Sequence, residues 1–219
     1  MRRQRDVGIK IRVWGETACF TRPEMKVERV TYDVITPSAA RGILESIYWH
    51  PGMYYQIDRI YVLKPIRFTN LRRNEVGVKI LAGDVLSMAK GGSVPKIVTS
   101  DVIQQRASMM LYDVDYVIEA HICISKNAED GDLLKHKNIL KRRLERGACY
   151  SQPYLGTREC TAYFSAWNEE RVPSIPETKD LGWMLYDMDY SNQSNILPKF
   201  FRAQMDHGVI DLTKCGTVI

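Results

Sequence analysis

The chain has 219 residues, 45% apolar and 26% charged, the make-up of a folded globular protein rather than a disordered one. With 31 Lys and Arg against 26 Asp and Glu it carries a formal charge of +5. That balance suits a polyanionic partner and is equally compatible with solvated lysines. No run of about 18 apolar residues occurs, which excludes a helical membrane span, and MRRQRDVGIKIRVWG at the start lacks the apolar core of a signal peptide. Cys19, Cys123, Cys149, Cys160 and Cys215 are odd in number with no CxxC pair. Neither a disulfide framework nor a zinc knuckle is expected, and a reducing cytoplasm fits.

Residues 7–14, VGIKIRVW, place Val7, Ile9, Ile11 and Val13 on one face, as a strand of period two would. Thr36-Pro37 reads as a helix start, with Thr36 as N-cap and Pro37 in the first turn. Ala40, Ile43, Leu44 and Ile47 recur at helical spacing, and His50-Pro51-Gly52 should stop the helix. YYQIDRIYVL at 54–63 is aromatic and β-branched, a second strand. A third strand is expected at 112–124, where Val114, Tyr116, Ile118, Ala120 and Ile122 alternate. Asp130-Gly131-Asp132 is a turn that also caps a helix over about 132–146. Leu133, Leu140 and Leu144 fall on one stripe of that helix, Lys135, Arg142 and Arg146 on the opposite one, and Gly147 closes it. RECTAYFSAW at 158–167 returns to strand character.

The order strand, helix, strand, strand, helix, strand predicts an α+β, ferredoxin-like (RRM-like) βαββαβ domain over 1–167, an architecture whose open sheet commonly binds RNA. Residues 64–110 are too long for a hairpin turn. They carry Lys64, Arg67, Arg72, Arg73, Lys79, Lys90, Lys96 and Arg106 against Glu75, Asp84 and Asp101, which reads as a basic arm or as a solvated insertion. After the connector NEERVPSIPETKD, residues 168–219 offer short strands and a turn at Asp206-His207-Gly208, a small C-terminal β subdomain.

No nucleotide-binding glycine loop, HExxH or GxSxG motif is present. His121 and Cys123 share a strand face without further ligands at metal spacing, and the pairs Asp113/Asp115 and Asp187/Asp189 read as strand-end carboxylates. No metal and no cofactor are expected. Lys135-His136 has two readings. It is either a solvated dipeptide or a phosphate-handling pair, with the lysine neutralising a phosphoryl oxygen and the imidazole exchanging a proton.

The stretch GETACFTRPEMKVERVTYDVITPSAARGILESIYWHPG, from Gly15 to Gly52, closely resembles the fifth family of CRISPR-associated proteins in its type I-C (Dvulg) subtype, within the RAMP superfamily. The resemblance continues through IDRIYVLKPIRFTNLRRNEVG, QQRASMMLYDVDYVIEAHI and YLGTRECTAYF, covers most of 8–167, and loosens after residue 170. It implies a ferredoxin-like endoribonuclease that cuts the repeat hairpins of precursor crRNA without metal. In that chemistry the 2′-hydroxyl attacks the phosphate, leaving a 2′,3′-cyclic phosphate and a 5′-hydroxyl. It also implies that the protein stays on the crRNA 5′ handle among the subunits of the type I-C interference complex.

The family's catalytic tyrosine ends the first helix, and ESIYWHP puts it at Tyr48; its Lys-His pair falls on Lys135 and His136 in LLKHKNILKRRL. On this resemblance His136 is the expected proton-transfer group, Lys135 the charge stabiliser and Tyr48 the positioning group, with His50 in reserve. Arg22, Lys26, Arg72, Arg73, Arg142, Arg143 and Arg146 are the expected contacts to RNA phosphates. Non-specific binding of duplex DNA is compatible with the same surface. The alternative is a scaffold that holds the 5′ handle while another protein cuts; a generic RNA-recognition module would need aromatic motifs that the strands lack.

Overall fold

The computed structural model describes residues 8–25, 27–93, 97–125, 130–190, 192 and 194–216. Strand β1 (Ile9–Ala18) turns Ile11 and Val13 inward, and a short β2 (Arg29–Val30) follows. Helix α1 (Pro37–Ile47) begins as its sequence requires, with Thr36 Oγ1 accepting from the Ala39 amide and Pro37 in the first turn. Pro37, Ala40, Ile43, Leu44 and Ile47 form its buried stripe. The helix ends at Ile47, ahead of His50-Pro51-Gly52, because Tyr48 leaves helical geometry at φ −152° and ψ 127°. β3 (Met53–Val62) then alternates Met53, Tyr55 and Ile57 inward, with a bulge between Ile57 and Arg59.

The long connection folds as an extended hairpin of its own. β4 (Phe68–Val76) pairs antiparallel with the first part of β5 (Ile103–Ile124), from Phe68 opposite Leu111 to Val76 opposite Ile103. Thus β5 begins nine residues before the expected strand, because its first stretch lies on the arm with both faces largely exposed and shows no alternation to read. The arm's tip carries α2 (Ala82–Ala89), none of whose residues is buried.

α3 (Leu133–Arg146) is capped by Asp132, whose Oδ1 accepts from the Leu134 and Lys135 amides, and closed by Gly147 at φ 62°. β6 (Tyr163–Ala166) is shorter than the expected 158–167 strand. Residues before it fold back on Cys19, whose amide donates to Leu155 O, and Gly156 sits there at φ +87°. A Cβ at that glycine would collide with the Cys19 carbonyl.

The sheet runs β6-β1-β5-β3-β9, and every neighbouring pair in that path is antiparallel. β9 (Val209–Asp211) thus adds a C-terminal strand to the edge of the main sheet. The other C-terminal strands, β7 (Lys179–Asp189) and β8 (Leu197–Met205), form a separate two-stranded sheet. The turn from β8 to β9 has His207 at φ 48° and Gly208 at φ 73°, the left-handed pair of a tight hairpin. α1 packs on β3 and β7, α3 packs on β5 and β6, and the two helices touch. One apolar cluster runs from Val13, Leu44, Ile118 and Leu140 through to Met184, Phe201 and Met205, so the C-terminal strands share the core of the first unit. Among the described residues no helix is long and apolar enough to cross a membrane.

Candidate active site

The end of α1 and the start of α3 meet in one place. Tyr48 caps α1 through its amide, which donates to Leu44 O, and its extended backbone turns the side chain toward α3. Its hydroxyl lies 2.8 Å from Nδ1 of His136, a histidine with no exposed surface in the first turn of α3. The other ring nitrogen, Nε2, lies 3.3 Å from the Asp130 carbonyl oxygen. A carbonyl only accepts, so in the neutral imidazole Nε2 carries the proton and Nδ1 keeps its lone pair. Tyr48 therefore donates to His136.

The surrounding groups fix this pair. Tyr55, inward on β3, donates from its hydroxyl to Tyr48 O at 2.7 Å. Arg143, one side of α3 down from His136, donates to Ile47 O at 2.5 Å and places its guanidinium 5.1 Å from the Tyr48 ring centroid. His50 stacks at a tilt on His136, with ring centroids 5.1 Å apart. Lys135 is exposed, and its Nζ lies 2.6 Å from Asp130 Oδ2. Burial pushes the Tyr48 hydroxyl above its ordinary pKa and Asp130 adds to the rise, while Arg143 and Lys135 pull it down. The hydrogen bond from Lys135 holds the Asp130 carboxyl below the usual carboxylate range, and the same bond raises the Lys135 ammonium.

This geometry differs from the sequence expectation in one respect. His136 is expected to exchange protons directly with an RNA oxygen, yet its Nδ1 is occupied by Tyr48 and the ring is buried. Of the pair, Tyr48 keeps 6% of its surface exposed and His136 none.

The expected phosphate contacts divide. Arg142 and Arg146 are exposed on α3 with no ion-pair partner among the described residues. Arg143 belongs to the Tyr48 cluster instead. Arg22 is folded in, donating to Thr31 O and Asp33 Oδ1 at 3.3 Å each and lying 4.6 Å from the Tyr32 ring centroid. Arg72 and Arg73 are adjacent on β4 and so face opposite ways. Arg72 is exposed, whereas Arg73 Nη1 meets Glu159 Oε1 at 2.6 Å, with its Nε and Nη2 buried and unpartnered. The two arginines cannot grip one phosphate together. Lys26 lies outside the described residues.

Among the described residues no group of three or more His, Cys, Asp or Glu side chains could hold a metal ion. His121 instead pairs with Asp58 at 2.9 Å, Asp113 with Lys64 at 2.6 Å, Asp115 with Arg12 at 2.6 Å, Asp187 with Arg41 at 2.8 Å and Asp189 with Lys199 at 2.7 Å. A cleft of about 600 Å³ flanks α1, with Ser38, Gly42, Glu45, Tyr154 and Tyr190 in its wall, and includes neither Tyr48 nor His136. That cleft is therefore separate from the Tyr48–His136 pair, which is buried where the end of α1 meets the start of α3. Sequence reasoning missed Asp130 and Tyr55. The alternation of β3 turns Tyr55 inward, which marks it as core but not as a partner of Tyr48.

A buried Tyr-His hydrogen bond thus lies beside an exposed lysine, in a protein built on an antiparallel sheet with a basic arm. Residues 8–213 match the family model for CRISPR-associated protein Cas5 of the Cas5d group. The chain belongs to that family. A CRISPR pre-crRNA endoribonuclease Cas5d of Mannheimia succiniciproducens is 48% identical over 213 residues, covering 93% of this chain and 94% of the relative. The protein of that name from Thermus thermophilus is 41% identical over 221 residues, covering 93% and 90%. Among solved structures, a CRISPR-associated protein aligns with TM-score 0.69 at 22% identity, covering 98% of this chain and 97% of that one. A functionally uncharacterized protein of Streptococcus mutans aligns with TM-score 0.68 at 23% identity over the same shares. The family match reaches well beyond residue 170, where the sequence resemblance loosens.

Proposed function

We propose that this chain is an endoribonuclease that cuts the repeat hairpins of precursor crRNA. The observation that carries the reading is the 2.8 Å contact between Tyr48 Oη and His136 Nδ1, with the Lys135 ammonium on the neighbouring residue. Two relatives named pre-crRNA endoribonuclease, each aligned over 93% of this chain, support it. The strand order β6-β1-β5-β3, with α1 and α3 as the crossovers, supports a ferredoxin-like reading of the fold. On that reading residues up to 167 form the catalytic unit with its 64–110 arm, and 168–219 form an appended β layer.

In the proposed reaction the RNA 2′-oxygen attacks the adjacent phosphorus while the bond from phosphorus to the 5′-oxygen breaks. The products are a 2′,3′-cyclic phosphate and a 5′-hydroxyl. An ordinary phenol near pKa 10 pays roughly 4 kcal/mol to act as phenolate at pH 7, and burial makes Tyr48 worse. Coupling to His136 avoids that cost. Tyr48 takes the 2′-hydroxyl proton as it passes its own to His136 Nδ1, and no free phenolate forms. Lys135 faces the phosphoryl oxygens, stabilises the charge that builds on them and gives a proton to the departing 5′-oxygen, and the proton taken up by His136 then restores the lysine through solvent. No step requires a metal.

After cutting, the protein stays on the 5′ handle as a subunit of the type I-C interference complex. A scaffold reading, binding the handle without cutting, is favoured by one observation. The arm's tip exposes Ile80, Leu81, Val85 and Leu86 on and beside α2, a surface suited to another subunit. Exposed Arg72, Arg142 and Arg146 would also attract duplex DNA without sequence preference.

The test uses labelled repeat RNA in excess EDTA beside a substrate with a single 2′-deoxy before the cut. Cutting of the first alone is expected. Tight binding without cutting of either would leave the scaffold reading.

A further inference from the structure

The first turn of α3 has an electrostatic problem. Lys135 and the imidazolium that forms on His136 are both cations at the positive end of a helix, where each is disfavoured. The structure meets them with one residue from the preceding turn. Asp130 gives Oδ2 to Lys135 Nζ at 2.6 Å and its main-chain oxygen to His136 Nε2 at 3.3 Å, and its Oδ1 stands 4.0 Å from the same Nε2. Oδ1 also accepts from the Asp132 amide at 3.3 Å, which locks the carboxylate's orientation. Asp132, the other carboxylate at this turn, is committed to capping the Leu134 and Lys135 amides.

We propose that Asp130 is the positioning residue of this site, holding the His136 tautomer that accepts from Tyr48 and fixing the Lys135 ammonium beside it. The inference rests on the reading of Tyr48, Lys135 and His136 as the cutting group. Asp130 touches no substrate atom. It completes the line Tyr48–His136–Asp130, in which a carboxylate stabilises the imidazolium created when the phenol hands over its proton, and it keeps Lys135 from swinging free. When an RNA phosphate arrives, Lys135 can turn toward it, and Asp130 remains as the counter-charge of His136.

The groups facing His136 are Tyr48 and His50 from the end of α1, Lys135 and Arg143 from α3, Asp130 and Asp132 from the preceding turn, and Tyr55 behind Tyr48 on β3. Of these only Asp130 places a carboxylate oxygen by Nε2. Asp130→Asn keeps the size and the main-chain carbonyl and removes the charge. With the charge gone, the imidazolium formed during the reaction loses its counter-charge and the cutting step slows. The Lys135 ammonium loses the bond that raises it, so the alkaline limb of the cleavage profile moves down.

The test measures single-turnover cleavage of repeat RNA against pH for wild type, Asp130→Asn and Asp130→Glu. RNA affinity and thermal unfolding are measured on the same proteins. Asp130→Asn should cut about 10–100-fold more slowly, as loss of an orienting partner does elsewhere. Its alkaline limb should lie at lower pH, its RNA affinity should be unchanged, and Asp130→Glu should restore the position of that limb. A slower Asp130→Asn whose alkaline limb stays in place would overturn the proposal, since a purely structural role has that result. Wild-type-like cutting would overturn it too. Wild type that binds but does not cut would remove the endoribonuclease reading, and with it any reaction for Asp130 to serve.

Discussion

Replacing Tyr48 with Phe tests the coupling between the phenol and the imidazole. The change removes one oxygen and leaves the ring, so the contact with the Arg143 guanidinium at 5.1 Å and the burial of the ring are kept. What disappears is the donor 2.8 Å from His136 Nδ1, leaving a buried acceptor unpaired. Such a loss costs about 1–3 kcal/mol of stability. For a chain of this size that lowers Tm by roughly 2–12 °C, at 2–4 °C per kcal/mol. The fold survives, and the variant is measurable. If Tyr48 relays the proton, single-turnover cutting of repeat RNA falls about 10²–10⁴-fold, the range for loss of a general acid or base. His136→Ala should fall by a similar factor. The double variant should be no slower than the slower single one, since members of one relay are strongly non-additive. The rates are read on labelled RNA at saturating protein, with binding measured separately. A Tyr48→Phe enzyme within tenfold of wild type, or single losses that simply multiply in the double variant, would refute the relay.

Arg72→Ala should raise the Kd for repeat RNA and reduce the steepness of its salt dependence by about one ion. Arg73→Ala should leave that slope alone, because Arg73 serves Glu159; anisotropy titrations across a salt series decide, and equal slope changes would count against the assignment. Arg12→Met should destabilise by about 2–3 kcal/mol, because it strands the Asp115 carboxylate, 3% exposed, while Arg12 itself reaches solvent. A loss below about 1 kcal/mol in denaturant unfolding would contradict that. Gly156→Ala should cost at least about 1–3 kcal/mol from its backbone conformation alone, with the collision at the Cys19 carbonyl added. An unchanged Tm would show that the loop before β6 is free to move.

The local punctuation of this chain was readable because it rests on single residues. Thr36-Pro37 and Asp132 cap their helices, Gly147 takes the left-handed conformation, and Asp206-His207-Gly208 makes its turn. Partnering across the sheet was not readable. β9 joins β3 at the edge of the main sheet, a contact spanning about 150 residues that three residues of sequence do not announce. The start of β5 was hidden because alternation needs one dry face, and on the arm neither face is dry. The same limit hid that Arg72 and Arg73, both expected to contact RNA phosphates, meet different surroundings, since a strand sends neighbouring side chains to opposite faces and Arg73 pairs with Glu159.

The site shows the limit most clearly. ESIYWHP and LLKHK are each legible as motifs, and their resemblance to a family names Tyr48, Lys135 and His136 as the expected reactive residues. The division of labour between them depends on an angle that no motif contains. α1 must stop at Ile47 for the Tyr48 hydroxyl to reach across to α3, and four donors from three segments enforce that stop. Tyr55 donates to Tyr48 O, Arg143 donates to Ile47 O, and the amides of Tyr150 and Ser151 both donate to Ser46 O. The last carbonyls of a helix have no partner within it, so whatever satisfies them also decides where the chain turns. Here α3, β3 and the loop after α3 supply those donors, and the segments that end α1 also frame His136. Ending the helix and assembling the Tyr48–His136 pair are therefore a single packing event. A Tyr55→Phe variant should accordingly lose cutting rate along with stability, although Tyr55 is not placed to touch the RNA. If its cutting rate per folded molecule matched wild type, the end of α1 would be held without it.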